Sequence, residues 1–336
     1  MNAPKISVVM GVFNGARLLS ETVDSVLAQT ARDFEFIIVN DGSTDPQVAQ
    51  ILTDYERRDG RVRIISKSNE GLTKALIDGC AAARGVYIAR IDAGDAMPPE
   101  RLLRQRALLD AHSEVVLATC WTEFCGPEWE TLYLGKEKTP FGGATGFWIA
   151  DVLPERPGEN LLEGPTSHPS VMFRADAYRR AGGYRWQFYH GQDWDLWYRL
   201  AELGRFAGVQ EILCRCRIFP EGISMRNAER QRRIHECSYG AFQARKRDAD
   251  ESGFLKKAKL LRPAHQRARF SRPSVSGQGS GCYFIGEALR RNGDRRCQSY
   301  FLKALAVRPL MIKIWFRLMQ SLFIRTGLAP GHKEVG

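Results

Sequence analysis

The chain has 336 residues, 44% of them hydrophobic, enough for one large domain or two smaller ones with a real core. No run of about 18 uninterrupted apolar residues occurs, so a transmembrane helix is not expected, and the start "MNAPKISVVM" lacks the basic and long apolar regions of a secretory leader. The net charge is +11, and residues 225–272 hold fourteen Lys/Arg against five Asp/Glu; such a segment suits an anionic partner or forms a solvated helical face.

Eight cysteines are scattered without zinc-like spacing and read as reduced thiols, which favours a cytoplasmic location. In chain order, "KISVVMGVF" is a buried strand by its β-branched run. Residues 17–29 follow as a helix, with Leu19, Val23, Val26 and Leu27 on one face. "FEFIIVND" is a second strand, after which Asp45-Pro46 supplies a helix cap with proline at the first helical position. "RVRIISK" is the third strand, "LTKALIDGCAAAR" a helix closed by Gly85, and "VYIARID" the fourth strand. This alternation predicts an α/β fold with a Rossmann-like, mixed but mostly parallel sheet and helices on both faces. Ligands of such sheets sit outside the carboxyl ends of the strands, so Asn14, Asp41, Asp92 and Asp95 should share one cleft.

Residues 120–164 are rich in Gly, Pro and Trp and read as loops and short strands. "HPSVMFR" is then a strand and "DWDLWYRLAEL" a helix. From residue 225 the chain is basic and helical as far as "SRPSVSGQGSG", which reads as a linker. Three parts are expected: 1–224, a basic helical segment over 225–272, and 273–336 as linker and C-terminal helical extension.

The chemistry concentrates in "ARIDAGDAMPPERL", where Asp92 and Asp95 stand on a strand-to-helix turn. A dinucleotide-binding dehydrogenase would run its first strand into G-x-G-x-x-G, but here only Gly11 and Gly15 occur, in "GVFNGA". A divalent cation explains the two carboxylates better, because Mg2+ or Mn2+ takes one or two of them and fills its shell with water and substrate phosphates. Asp95 is the expected metal ligand and Asp92 a contact to ribose or metal-bound water; the alternative for Asp95 is a helix-capping role ahead of Pro98-Pro99.

Five motifs, "SVVMGVFNGARLLSETVDSVLAQT", "FIIVNDGSTD", "NEGLTKALIDG", "ARIDAGD" and "GQDWDLWYRL", stand in the order and spacing of family-2 inverting glycosyltransferases, which the chain resembles over about 5–223. The resemblance implies a nucleoside-diphosphate sugar as donor and an acceptor hydroxyl on a carbohydrate or lipid-linked saccharide. It implies that Gly11 and Phe13 receive the nucleotide base, that Asp41 contacts base or ribose, and that Lys74 faces the nucleotide. Asp95 matches the family's metal ligand and Asp193 its base. Two departures stand out: Gly94 occupies a position often held by a third acid, and Gln192 one usually held by Glu.

A single carboxylate suffices for direct displacement at an anomeric carbon. Asp195 lies about 200° round a helix from Asp193, so the two cannot face one cleft. Asp193 also suits an N-cap, a role compatible with an ionised base. His168 and His190 are weaker site candidates, and Trp194 and Trp197 suit either an acceptor sugar or the core.

Beyond the resemblance, "GCYFIGEALRRNGDRRCQSYFLKALAVRP" looks like a degenerate tetratricopeptide helical pair, which alone would need something to pack on. "LMIKIWFRLMQSLFIR" sets Lys313, Arg317 and Gln320 along one stripe, which fits an interfacial helix on an anionic membrane surface or a closing core helix. The resulting expectation is a metal-dependent glycosyltransferase of cell-surface polysaccharide or glycolipid assembly, with no nucleic-acid partner. The alternative is a catalytically inactive scaffold, favoured by Gly94 and Gln192.

Overall fold

The computed structural model of the chain describes residues 3–136, 146–152, 164–220, 222, 228–262 and 275–324. Strands β1 (Ile6–Val12), β2 (Phe34–Asp41), β3 (Val62–Lys67) and β4 (Tyr87–Arg90) alternate with helices α1 (Ala16–Leu27), α2 (Pro46–Arg58) and α3 (Leu72–Ala81). They pair in parallel in the order β3-β2-β1-β4. Every residue of β1 is buried, as is all of β2 except Asn40. Strand side chains alternate between faces, so burial of both sets means that the sheet is covered on both sides. The cap expected at Asp45 is present: its side chain accepts from Gln47 N at 3.0 Å, with Pro46 in the first turn.

Helix α4 (Arg101–Ala111) leads to β5 (Val115–Cys125), β6 (Thr131–Gly135), β7 (Phe147–Ala150) and β8 (Met172–Arg174). Helices α5 (Ala175–Arg180) and α6 (Gln192–Ala201) precede the long β9 (Arg205–Arg217). The described strands form one nine-stranded sheet, β3-β2-β1-β4-β8-β5-β9-β7, with β6 on β5. Strand β8 runs antiparallel to both β4 and β5, so the sheet is mixed but parallel where the first motifs lie.

Several boundaries differ from the sequence reading. Helix α3 ends at Ala81, before Gly85, which is no helix cap: a Cβ there would lie 2.6 Å from Ser7 N, so its role is close approach to β1. "HPSVMFR" is a single 3-10 turn, His168–Ser170, followed by the short β8. The expected linker is largely helical, because α9 (Val275–Arg291) begins inside it; residues 271–274 lie outside the described residues.

The chain clusters into two compact units that cross the expected boundaries at 224 and 272. The first comprises 1–122, 135–216 and 232–262; the second comprises 123–134, 217–231 and 263–336. The first holds residues 232–246 of α7 (Ala228–Lys246) and all of α8 (Ser252–Leu260), two helices of the basic segment. Its charges are not all free: Arg245 pairs with Glu202 and Glu251, and Arg185 also holds Glu251. In the second unit, α9 and α10 (Cys297–Val307) turn at Gly293, whose φ is 73°. Gly286 admits the ring of Phe301, 2.9 Å from where a Cβ would stand. The pair packs with α11 (Ile312–Leu322) and Leu132 in a cluster of its own.

Candidate active site

The described site residues lie in the first unit, at the carboxyl ends of the parallel strands and the start of α6. Gly11 is buried within β1, where a Cβ would press on Leu72 at 3.0 Å, and Phe13 follows half-buried. Asn14, at φ 60°, clamps the loop after β2: its N–H donates to Ser43 Oγ at 2.9 Å, and its Oδ1 accepts from Thr44 N at 2.8 Å. Asp41 closes the next loop. Its Oδ1 accepts from Glu70 N at 2.9 Å and its Oδ2 from Gly71 N at 2.8 Å. Burial pushes the Asp41 pKa up, against these two N–H donors and Lys67. Lys74, one turn into α3, pairs with Glu70.

Gly71 ties this corner to the approach to α6, because the Tyr189 ring lies 2.4 Å from where a Cβ would be. Thr73 Oγ1 donates to Phe188 O at 2.8 Å from the same segment. His190 stands beside Tyr189, ring centroids 4.8 Å apart.

The turn after β4 explains the glycine between the two acids. Gly94 has φ 106°, a backbone state that side chains rarely adopt. Its N–H donates to Thr22 Oγ1 at 2.9 Å, and Thr22 Oγ1 donates in turn to Asp95 O at 2.8 Å. The positive φ gives Gly94 a conformational role in this turn, beside its departure from the acid often found at this position in the family. Asp95 is buried, whereas Asp92 keeps 36% of its side chain exposed.

Asp92 accepts from Arg90 Nη2 at 2.7 Å. Arg90 is fully buried, and its Nε and Nη1 have no hydrogen-bond partner among the described residues. The charges of Asp92 and Asp193 raise its pKa against desolvation, which alone would lower it. The sequence reading passed over Arg90; the available signal was a guanidinium inside the apolar run "GVYIARI".

Asp193 lies in the first turn of α6, which is capped by Gly191 in the left-handed region, so Asp193 is not the N-cap. Its side chain is 21% exposed, and its Oδ1 accepts from Trp194 N at 3.0 Å. Burial pushes its pKa up, while the Trp194 N–H and Arg90 pull it down. His168 Nδ1 stands 4.0 Å from Asp193 Oδ2, and His168 Nε2 shares a 2.7 Å hydrogen bond with Tyr184. Burial and Arg90 hold His168 well below the usual imidazole range, so it is neutral beside the carboxylate. Tyr184 is a second residue that the sequence reading missed.

Asp195 points elsewhere, as the helical geometry requires. It is buried, paired with Arg199 and 3.6 Å from Arg185. Trp197 is core, and Trp194 is half-buried against Trp197 and His235.

Among the described residues no group of three His, Cys, Asp or Glu could by itself hold a metal ion. One buried carboxylate with a half-exposed neighbour, on a turn fixed by Thr22, fits a hard cation that draws its other ligands from water and phosphate. All eight cysteines are free and buried.

The family model described as glycosyl transferase family 2 matches residues 7–162. The provisionally assigned glycosyltransferase EpsE of Bacillus subtilis is 33% identical over 221 residues, 64% of this chain and 74% of that protein. The chondroitin synthase of Pasteurella multocida is 27% identical over 235 residues, 69% of this chain but 22% of that much longer protein. Among solved structures, the mannosyltransferase PcManGT from Pyrobaculum calidifontis, in complex with GDP-Man and Mn2+, gives a TM-score of 0.52 at 14% identity. That likeness spans 96% of this chain and 86% of the other and is one of fold. With one aligned residue in three shared with EpsE across most of that protein's length, the chain belongs to glycosyl transferase family 2.

Proposed function

We propose that this glycosyltransferase catalyses metal-dependent, inverting transfer of a hexose from a nucleoside-diphosphate sugar to an acceptor hydroxyl, in cell-surface polysaccharide or glycolipid assembly. The observation that carries the reading is the Asp193 carboxylate, partly exposed at the start of α6 and flanked by neutral His168 and buried Arg90. In an inverting displacement the acceptor oxygen bonds to the anomeric carbon as the bond from that carbon to the diphosphate oxygen breaks. The acceptor proton passes to a base, the role assigned to Asp193.

His168 cannot compete for that proton as a cation, and it bounds the carboxylate on one side. Arg90 opposes the desolvation that would otherwise keep Asp193 protonated. Asp95 is the ligand assigned to Mg2+ or Mn2+, which when bound neutralises charge developing on the leaving diphosphate. Asp92, Asp41, Lys74, Gly11 and Phe13 are assigned to the nucleotide. Asp41 accepts from Glu70 N on Oδ1 and from both Gly71 N and Asn69 Nδ2 on Oδ2, so a contact to base or ribose uses the remaining lone pair on Oδ1. The GDP-Man and Mn2+ of the fold neighbour and the polysaccharide product of the chondroitin synthase support this donor, metal and pathway. We infer that the enzyme works at the cytoplasmic face of a membrane, on an acceptor carried there.

An inactive scaffold is the competing reading. Gly94 and Gln192 are the departures that favour it, and the φ of 106° gives Gly94 a conformational reason as well. The test is a screen of nucleotide sugars with Mn2+, for hydrolysis and for transfer to saccharide acceptors, with Asp193→Asn in parallel. Turnover by the parent and a loss of about 10²–10⁴-fold in the variant is the expected result. Nucleotide binding without turnover of any donor would favour the scaffold.

A further inference from the structure

We propose that the free face of α11 is a docking surface for an anionic phospholipid bilayer. The helix carries two apolar faces. At 100° per residue, Ile314 and Leu318 lie on one side with Ser321, where Ile314 is fully buried and Leu318 packs on the cluster of α9 and α10. Ile312, Trp315, Phe316, Met319, Leu322 and the adjoining Phe323 fall within an arc of about 120° on another side. These six are exposed, Ile312 by 82% and Phe323 by 84%, and Leu310 just before the helix by 92%. Of fifteen large hydrophobic side chains exposed among the described residues, eight fall within 310–323, so this is a concentrated patch and not scattered surface. The helix thus both closes its own unit and presents a second apolar stripe outward.

The occupant follows from charge. Lys313, Arg317 and Gln320 flank the exposed stripe on its polar side; Lys313 is itself exposed, while Arg317 is partly buried and pairs with Glu287 at 3.4 Å. Residues 275–324 hold eight Lys/Arg against two Asp/Glu. A second copy docking through the same face would bring two basic surfaces together, whereas anionic headgroups neutralise them. The helix has 11 residues, about 16 Å long, too short to cross a bilayer and suited to lying in its interface. Among the described residues no helix is long and apolar enough to span a membrane, so attachment would be through such a surface. This deepens the proposed setting at a membrane and rests on it only for the acceptor; binding is measured without donor, so either reading can fail alone.

The experiment is co-sedimentation of the full chain with phosphatidylcholine vesicles with and without phosphatidylglycerol, in low and high salt. The expected result is binding that needs phosphatidylglycerol and weakens with salt. Phe316→Ser with Met319→Ser should lower affinity on the order of tenfold or more, and Lys313→Gln about fivefold. All three side chains lie at the surface, so thermal melting of the variants should match the parent. As a direct readout, the tryptophan emission lost in Trp315→Phe should shift to the blue when vesicles are added to the parent. Equal binding to both vesicle types, an unshifted Trp315 signal, or a parent dimer that the double variant disperses would each overturn the proposal.

Discussion

At the residue scale, two neighbouring aspartates on one helix have opposite fates. Asp193 is tolerated as an anion at a cost. Its folded-state pKa is raised, so the stability linked to it is greatest below the ordinary aspartate range and declines as pH rises through the folded value. Asp193→Asn should therefore be more stable than the parent at neutral pH, with the difference vanishing in acid, while transfer is lost. Denaturant titrations at both pH values check this; a variant less stable at neutral pH would remove the strain assigned to the base. The acid limb of the parent's transfer rate should lie above the ordinary aspartate range, for the same reason. Asp195→Asn should behave in the opposite way. It leaves Arg199 buried without its anion, and loss of one partner of a buried pair costs about 3–5 kcal/mol. An active protein with a sharply lowered melting temperature is the expected outcome. Gly94 belongs at this scale too. Gly94→Asp or Gly94→Ala forces a side chain into φ 106°, at about 1–3 kcal/mol, and should loosen the turn carrying Asp95. Urea unfolding and Mn2+-dependent nucleotide affinity of the two variants measure both effects; undiminished values would leave Gly94 the role of a missing acid alone.

At the scale of elements, the glycines of the C-terminal helices show why composition misled. "SRPSVSGQGSG" has the chemistry of a flexible linker, since glycine in a helix costs about 1 kcal/mol relative to alanine. Yet α9 runs through much of it, because Gly281 lets the helix approach the Pro220 backbone, where a Cβ would stand 2.4 Å from the carbonyl oxygen. Gly281→Ala should therefore destabilise by about 1–3 kcal/mol through overpacking. Gly253→Ala, in α8 with open space around its Cβ position, should stabilise by about 0.4–1 kcal/mol. Urea midpoints of the two variants should move in opposite directions. The tail helix gives a parallel case: its periodicity was compatible with either core or membrane, and its surface is divided between a packed face and a free one.

At the scale of the whole molecule, the candidate site residues come from segments far apart in the chain: Asp41 accepts from the N–H groups of Glu70 and Gly71, and the charge of Arg90 links Asp92 with Asp193. Ligand that binds only the folded protein stabilises it by mass action, by about 2.7 kcal/mol at a hundredfold excess over Kd. A nucleoside diphosphate with Mn2+ should raise the melting temperature more than the nucleotide alone. Asp95→Ala should abolish that metal-dependent increment and keep the rest. An increment equal to the parent's would move the metal to other ligands.

What the sequence determined by itself was whatever local chemistry enforces. The β-branched runs specify β1 to β4, Asp45-Pro46 caps α2, and five motifs in fixed order identify the family and its parallel sheet. The 100° step of a helix also separated Asp193 from Asp195 before any contact was known. Tertiary structure alone decided which charges are buried and what meets them. The i,i+4 spacing within α6 offers Arg199 to Asp195, but nothing in that pattern says that the pair is buried with Arg185 beside it, or that Asp193 lies between neutral His168 and the field of Arg90. Nor could composition tell a linker glycine from one that admits a backbone carbonyl. Periodicity reports the direction in which a side chain points; its energy depends on the dielectric, the partners and the space it finds there, and those are supplied by segments distant in sequence.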